Sequence, residues 1–147
     1  EMEKRNLADK ILLWSDDVLT TDYLFQLDTS KLEYMIQYHN YAKVCCLKGF
    51  DEDSFSFNTL LPKCEFNHQL ERLDKYIHLG FDVYVYIVFT CNQLDNIEKK
   101  IDSLIQKLQA IHYDLPLRVV PIKIEEFSAV TGRLNQERRD SFQYQFQ

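Results

Sequence analysis

Short apolar runs alternate with stretches of helical periodicity along most of the chain. Four runs rich in β-branched and aromatic residues predict β-strands, at residues 10–14, 42–48, 81–90 and 117–124. The second and third runs are almost continuously apolar at their centres, a pattern typical of strands covered on both faces. We therefore expect a sheet of buried strands.

Stretches with helical spacing separate these runs. Residues 94–112 carry one apolar stripe that recurs every three or four residues, so they predict an amphipathic helix. A second helix is predicted over residues 67–79 and ends at Gly80. Residues 21–38 predict helical structure with a break at residues 28–30. A last helix is predicted from about residue 125.

Strand and helix alternate four times, which predicts βαβ units, a parallel sheet and right-handed crossovers. We expect a single α/β domain over residues 1–147. Two architectures fit: a small open doubly wound sheet, and half of a (β/α)8 barrel, since a whole barrel needs ~250 residues. Residues 133–147 predict either a helix that docks on a partner or a frayed tail. In both architectures ligands bind at the C-terminal ends of the strands, where function is to be sought.

Composition and charge limit the classes of partner and the compartment that fit this chain. The chain has 147 residues, and 17 Lys and Arg stand against 23 Asp and Glu, giving a net charge of -6. Such a chain is a poor candidate for binding nucleic acid, which depends on phosphate neutralisation. No apolar run is long enough for a membrane span. The four cysteines form no CxxC pair, and without a signal-peptide pattern they favour reduced thiols in a cytoplasmic protein.

Polar residues at the ends of the predicted strands are the candidates for chemistry. Lys48 precedes Gly49 and could hold a carboxylate or phosphate, or simply be solvated. Asp16 and Asp17 follow the first strand and could do acid–base work or bind a metal or ribose, or simply solvate a loop. Thr90 ends the third strand. The acidic residues 51–53 predict a helix start rather than a metal site.

The chain contains no motif of dinucleotide-binding proteins, P-loop proteins or serine hydrolases. The histidines and cysteines show no metal-ligand spacing, so we expect no metal site within this chain. No catalytic residue can be named from the residues alone. The residues alone therefore predict an α/β domain that binds a ligand at the C-terminal ends of its strands.

The order of the segments resembles radical S-adenosylmethionine enzymes of the activase-like type. Residues 11–19 resemble the family's strand and polar turn, and residues 44–55, which contain Leu47-Lys48-Gly49, resemble its segment with an L-K-G motif. Residues 69–80 and 115–121 resemble a following helix and a later barrel strand. The resemblance covers most of the chain and implies the C-terminal half of a partial (β/α) barrel.

The resemblance also implies cofactors and site residues. The family binds S-adenosylmethionine and a 4Fe–4S cluster, whose reduction cleaves the cofactor to a 5′-deoxyadenosyl radical. By position, Lys48 matches the motif lysine near S-adenosylmethionine, Asp16 and Asp17 lie near the turn that faces cofactor or substrate, and Thr90 ends the next strand. Cys46 stands where the family often has Asp or Ser. The family's CxxxCxxC loop is missing, so this chain alone is not expected to be active.

Three interpretations remain open. The chain is the C-terminal part of a radical enzyme, completed by a missing N-terminal barrel half or another protein chain; its start at Glu1 rather than Met favours a piece of a longer protein. Alternatively, it is a stand-alone, cluster-free α/β ligand-binding or regulatory domain. In the third interpretation it is an interaction subunit, because an unclosed parallel sheet leaves exposed edges and 14% of the residues are aromatic.

Overall fold

The computed structural model describes residues 1–126, 131–132, 134–142 and 145. It contains one four-stranded, all-parallel sheet with the order β1-β2-β3-β4. The strands are β1 (Leu13–Asp17), β2 (Tyr41–Leu47), β3 (Val83–Val88) and β4 (Val119–Ile122). A doubly wound sheet reverses its strand order, whereas this order advances in one direction. The α/β class with a parallel sheet is confirmed, and of the two architectures the partial (β/α) barrel is the one observed.

Helices connect the strands at the positions that the periodicity indicates. The described helices are α1 (Thr29–Gln37), α2 (Glu52–Thr59), α3 (Glu65–His78), α4 (Ile97–Ile111) and α5 (Gln136–Ser141), with 3-10 helices at Glu3–Arg5, Tyr23–Gln26 and Leu115–Arg118. The helix predicted over 67–79 corresponds to α3, and Gly80 after it has a φ of 90°. The break predicted at residues 28–30 is confirmed, because α1 begins after Asp28.

One face of the sheet carries the hydrophobic core. Right-handed crossovers between sequentially ordered strands put the connecting helices on the same side. Side chains from α1, α3 and α4 accordingly join alternate residues of β2 and β3 in one cluster, among them Leu32, Cys45, Leu47, Leu73, Val83, Val85, Ile87, Leu104 and Leu108. We call this side the helix-covered face.

The opposite side, which we call the open face, has no helix layer in the described part of the chain. Alternation along the strands assigns it Trp14, Asp16, Ala42, Val44, Cys46, Tyr84, Tyr86, Val88, Val120 and Ile122. Trp14 is 42% exposed, yet Ala42 and Val44 beneath it are buried. The expectation that β2 is covered on both faces is confirmed, although no helix in the described part of the chain covers the open face. Large aromatic side chains of β1 and β3 cover the small residues of β2 instead.

Several boundaries differ from the sequence expectation. The strands expected at 81–90 and 117–124 are shorter in the structure, Val83–Val88 and Val119–Ile122, so Thr90 lies after β3 rather than at its end. The first strand was expected at residues 10–14, but β1 begins at Leu13, where its register with Tyr41 of β2 starts. Apolar content alone does not show where a neighbouring strand begins to pair, so Asp16 and Asp17 lie within β1 rather than after it. The helix predicted from residue 125 falls largely on residues 127–130 and 133, which lie outside the described residues, and α5 occupies part of 133–147.

Strands β1 and β4 form the edges of the sheet, because each pairs with one neighbour among the described strands. Pro121 lies in β4 opposite Ile87 of β3. Proline has no N–H and is tolerated in a sheet mainly at edge strands. The outer edge of β4 is therefore interrupted, whereas that of β1 contains no proline.

Candidate functional site

The two adjacent aspartates of β1 point to opposite faces of the sheet. Asp16 is exposed on the open face, while the Asp17 side chain is 4% exposed on the helix-covered face. This separation follows from strand geometry, because successive side chains alternate in direction. The two carboxylates therefore cannot act together on one ligand.

Asp17 belongs to a buried polar network. Its Oδ1 accepts a hydrogen bond from the Leu19 N–H at 2.7 Å, and its Oδ2 accepts one from the Tyr76 hydroxyl. Lys43 Nζ lies 3.4 Å from Oδ2, and the lysine side chain is 1% exposed. Burial and the bond to Asp17 raise the pKa of Tyr76, which keeps the phenol protonated. Both oxygens of Asp17 are engaged inside the core, and its contact with a cofactor stays a prediction.

Asp16 and Cys46 lie on the open face near the C-terminal ends of β1 and β2, and Lys48 directly follows β2. Burial raises the pKa of the Cys46 thiol; Lys48 opposes that shift, and Asp16 adds to it. The thiol is therefore neutral at neutral pH rather than a thiolate nucleophile. The predicted residues Asp16 and Lys48 lie at the C-terminal ends of two neighbouring strands, Asp16 within β1 and Lys48 directly after β2.

An aromatic surface lies on the same face of the sheet. The Trp14 ring lies 5.2 Å from the Tyr84 ring and 6.3 Å from the Tyr86 ring, so side chains of β1 and β3 meet across β2. The Arg118 guanidinium lies 5.1 Å from the centre of the Tyr84 ring, on the β4 side. The open face thus offers flat aromatic rings with the Arg118 guanidinium against one of them and the Asp16 carboxylate on the same face of β1 as Trp14.

Thr90 is buried and bonded to a side-chain amide of α2. Its hydroxyl donates to Oδ1 of Asn58 at 2.6 Å, and its carbonyl accepts from Nδ2 of Asn58 at 3.0 Å. The same Nδ2 donates to the Lys48 carbonyl at 2.8 Å. Asn58 therefore joins the exits of β2 and β3. The predicted cofactor contact of Thr90 stays a prediction, since its hydroxyl already has a partner.

Gln69 of α3 joins the C-terminal ends of β1 and β2 through its side-chain amide. Its Oε1 accepts the Lys48 N–H at 3.2 Å, and its Nε2 donates to the Val18 carbonyl at 3.0 Å. The side chain is buried. Sequence reasoning missed both amides. Gln69 had a usable signal, because it lies in the buried stripe of α3, where a polar residue needs a buried partner; Asn58 had none.

The turn after Lys48 packs tightly on the start of α2. A Cβ on Gly49 would lie 2.4 Å from the Phe55 nitrogen, so only glycine fits without movement. Asp51 caps α2: its side chain accepts the Ser54 N–H, while the Ser54 hydroxyl accepts the Asp51 N–H. The prediction that residues 51–53 start a helix is confirmed. This cap and turn hold Lys48 at the end of β2.

The described cysteines do not fit an iron–sulfur cluster. Cys45 lies on the helix-covered face, where burial raises its pKa to about 12, and Cys46 lies on the open face. Cys64 is exposed before α3, and buried Cys91 contacts the Gln93 carbonyl. No group of three or more His, Cys, Asp or Glu suited to a metal ion occurs among the described residues. A 4Fe–4S cluster needs thiolates together at its irons.

Comparisons with known proteins give no relative. No protein-family model matches the chain, and neither a curated protein nor a solved structure matches it. Within the described residues, no helix combines the length and the apolar character needed to cross a membrane.

Proposed function

We propose that this chain is the C-terminal portion of a radical S-adenosylmethionine enzyme barrel. Its open face contributes residues that contact the cofactor and the substrate, and the chain is not active alone. The observation that carries the proposal is the position of Asp16 and Lys48 at the C-terminal ends of the neighbouring strands β1 and β2, with Asp16 on the same face of the sheet as the aromatic rings. The sequence resemblance and the partial (β/α) barrel support it.

The chemistry of the open face suits S-adenosylmethionine. That molecule combines an amino-acid group, a sulfonium cation and a flat adenine. The Lys48 ammonium suits its carboxylate, the Asp16 carboxylate suits its cationic groups, and the aromatic rings suit adenine. Asp17 and Thr90 are positioning residues in this proposal, because their hydrogen bonds hold the ends of β1 and β3.

The described cysteines do not fit the cluster, so its ligands are assigned to a partner. That partner is the N-terminal barrel half or a separate chain that carries a CxxxCxxC loop. The bound cofactors would supply a radical for the reaction. A cytoplasmic location belongs to the same proposal, supported by the free thiols of the described cysteines.

Fluorescence of the chain's single tryptophan tests the proposal directly. Titration with S-adenosylmethionine should change Trp14 emission saturably. Asp16→Asn and Lys48→Met should each weaken binding about tenfold or more, since each removes a charged hydrogen-bond partner. Equilibrium dialysis with labelled cofactor detects binding that leaves the emission unchanged.

Matched controls are available on α4. Lys99→Met and Asp102→Asn remove the same charges from exposed sites on the helix-covered side and should leave binding unchanged. An absence of binding in both assays, or equal affinity in all four variants, would contradict the proposal. It would favour the alternative, a stand-alone, cluster-free α/β domain.

A separate experiment tests whether a longer chain or a second chain supplies the cluster ligands. The intact mass of the protein in its source cells should exceed 17.6 kDa, or the protein should co-purify with a chain that carries the CxxxCxxC loop. A free protein with the mass of this chain would contradict the assignment of the cluster to a partner.

A further inference from the structure

A cavity of about 300 Å³ lies between the N-terminal segment and α1, on the helix-covered side of the sheet. We call it the tyrosine cavity, because Tyr34 of α1, Tyr38 directly after α1 and Tyr41 of β2 line it. Its volume is at the lower end of the range for small-molecule sites. Tyr34 is exposed and the other two tyrosines are half-buried, so the cavity opens to solvent. The remaining lining residues are Glu1, Met2, Glu3, Leu13 and Met35.

Hydrogen bonds fix the three tyrosines in the walls of the cavity. The Tyr34 hydroxyl donates to a Glu3 carboxylate oxygen at 3.4 Å, and the Tyr38 hydroxyl donates to a backbone carbonyl of the N-terminal segment at 3.1 Å. The hydroxyls of Tyr41 and Ser15 bond one another at 2.6 Å. Because each hydroxyl already has a partner, the aromatic rings are what the tyrosines offer to a ligand.

The side chains that line the cavity carry negative charge and no positive charge. Glu1 forms an ion pair with Arg5 at 2.7 Å, whereas Glu3 forms none among the described residues. Burial raises the pKa of Tyr38, and the carboxylates of Asp9 and Glu3 raise it further. The Tyr38 ring is therefore neutral and lies in a negative potential.

Aromatic rings combined with a carboxylate suit a cation that has an apolar surface. The ring quadrupole attracts a cation placed over its face, and aromatic cages recognise quaternary ammonium groups in this way. A primary ammonium or a guanidinium would bring N–H donors into a cavity lined largely by carbon, where donors without acceptors are costly. A quaternary ammonium has no N–H group. An additional anionic group on the ligand would be repelled by Glu3.

We propose that the tyrosine cavity binds a small, free quaternary ammonium cation of the choline type. Its methyl groups contact the rings of Tyr34, Tyr38 and Tyr41, and Glu3 supplies the counter-charge. All of these residues belong to this chain, so the site needs no partner at the outer edge of β1. The inference does not depend on the proposed function, because the cavity lies on the side of the sheet opposite the open face and needs neither S-adenosylmethionine nor a cluster.

Isothermal titration calorimetry of the full chain with choline tests the proposal. Choline should bind saturably, and tetramethylammonium should compete with it. The neutral analogue of choline, in which a carbon atom replaces the nitrogen, should bind about tenfold more weakly or worse, because it has the same shape without the charge. Saturation-transfer NMR of the choline methyl signal detects binding that releases no heat.

Two further ligands distinguish a free cation from the same group on a larger molecule. Phosphocholine, the headgroup of a lipid, should bind more weakly than choline because its phosphate is repelled by Glu3. A peptide that contains trimethyl-lysine should bind no more tightly than choline. Tighter binding of either one would overturn the assignment to a small free cation.

Variants of Tyr38 separate the ring from its hydroxyl. Tyr38→Phe and Tyr38→Leu both lose the hydrogen bond to the Ala8 carbonyl, but only Tyr38→Leu loses the aromatic ring. Tyr38→Phe should therefore bind choline like the native chain, and Tyr38→Leu about three- to tenfold more weakly. Glu3→Gln should weaken binding by a similar factor, because it removes the counter-charge. The controls Tyr113→Leu and Glu98→Gln change exposed residues outside the cavity and should leave binding unchanged.

Three results would overturn the proposal. The first is the absence of choline binding in both calorimetry and NMR. The second is equal affinity for choline and its neutral analogue, which would exclude recognition of charge. The third is an equal loss of affinity in Tyr38→Phe and Tyr38→Leu, which would show that the hydroxyl matters for structure and that the ring does not contact the ligand.

Discussion

Single residues on β1 and β2 show how one position along a strand changes the role of a side chain. Asp16 and Asp17 are identical in chemistry, yet one is exposed on the open face and the other pairs with Lys43 inside the core. A buried charge persists only when it is paired and hydrogen-bonded. Lys43 and Asp17 meet this condition through each other and through Tyr76.

Removing one member of this pair should be costly. Asp17→Asn leaves the Lys43 ammonium buried without a counter-charge, and we expect a loss of about 3 kcal/mol in the free energy of unfolding. The double variant Asp17→Asn/Lys43→Met should recover most of that loss, since neutral residues of similar size are tolerated. Urea unfolding measures both. If the loss in the double variant equals the sum of the losses in Asp17→Asn and Lys43→Met alone, the two groups do not interact. Asp53→Asn at the exposed Lys63 pair is a control expected to cost under about 1 kcal/mol.

Gly49 should not tolerate a methyl group. The Cβ of Gly49→Ala would meet the backbone of Phe55, and we expect a loss of about 1–3 kcal/mol from overpacking. Thermal unfolding compares it with Gly132→Ala, where nothing lies within 4 Å of the added Cβ. Equal melting temperatures in the two variants would exclude a tight turn at Gly49.

Helices α2 and α3 do more than cover the sheet, because each extends an amide side chain to the strand exits. Asn58 of α2 binds the ends of β2 and β3, and Gln69 of α3 binds those of β1 and β2. These bonds satisfy backbone groups that the sheet ladder no longer serves. These hydrogen bonds hold the C-terminal end of β2, where Lys48 lies.

Loss of the Gln69 amide should loosen this edge locally. Gln69→Leu keeps the side-chain size but leaves the Lys48 N–H unpaired, and we expect a loss of about 1–3 kcal/mol in stability. Hydrogen exchange of the Lys48 amide should accelerate more than exchange at the centre of β3. Gln106→Leu, an exposed position on α4, is the matched control. Unchanged exchange at Lys48 would contradict the role assigned to Gln69.

The start of α2 should respond to acid through Asp51. Burial favours protonation of Asp51, but hydrogen bonds from Lys100 and Ser54 outweigh it, so its folded-state pKa is lowered. The charged cap therefore stabilises the fold above the usual aspartate pKa, and this stability is lost as pH falls through the lowered value. At neutral pH we expect the free energy of unfolding of the native chain to be about 0.5–1 kcal/mol larger than that of Asp51→Asn, because solvent screens part of the interaction. The difference should vanish in acid, whereas Asp102→Asn should show no such trend.

The local sequence pattern predicted which segments are strands and which are helices. The candidate site could not be predicted in full, because it depends on contacts between residues far apart in the sequence. Alternating apolar runs and helical stripes predicted the strands and helices, with β1 displaced because its pairing begins only at Tyr41 of β2. The position of Asp16 and Lys48 at the C-terminal ends of β1 and β2 followed from the predicted parallel strands. The amide of Asn58 could not be predicted, because its partners Lys48 and Thr90 come from two different strands.

The whole described chain has one core on one side of one sheet. The main cluster includes buried residues from Leu19 to Leu115, and it draws on β2, β3 and helices α1 to α4. A single core of this kind favours cooperative unfolding. The open face adds little to it, since its aromatic side chains remain partly exposed.

Unfolding should therefore be a single event for both faces. Trp14 fluorescence reports the open face, and far-ultraviolet circular dichroism reports the helices. The two signals should give the same urea midpoint. An earlier midpoint for Trp14 would show that β1 separates from the sheet before the core opens.

Pro121 also bears on the addition of further strands to the sheet. Fibrils grow because every added strand presents a complete new edge to the next one, and one missing donor weakens that template. Because Pro121 removes one donor from the outer edge of β4, a further strand pairs there less readily than at an uninterrupted edge. Pro121→Val would restore the missing donor, and such a chain should form thioflavin-positive aggregates sooner than the native one. A single imino acid thus protects one edge of the sheet from strand addition.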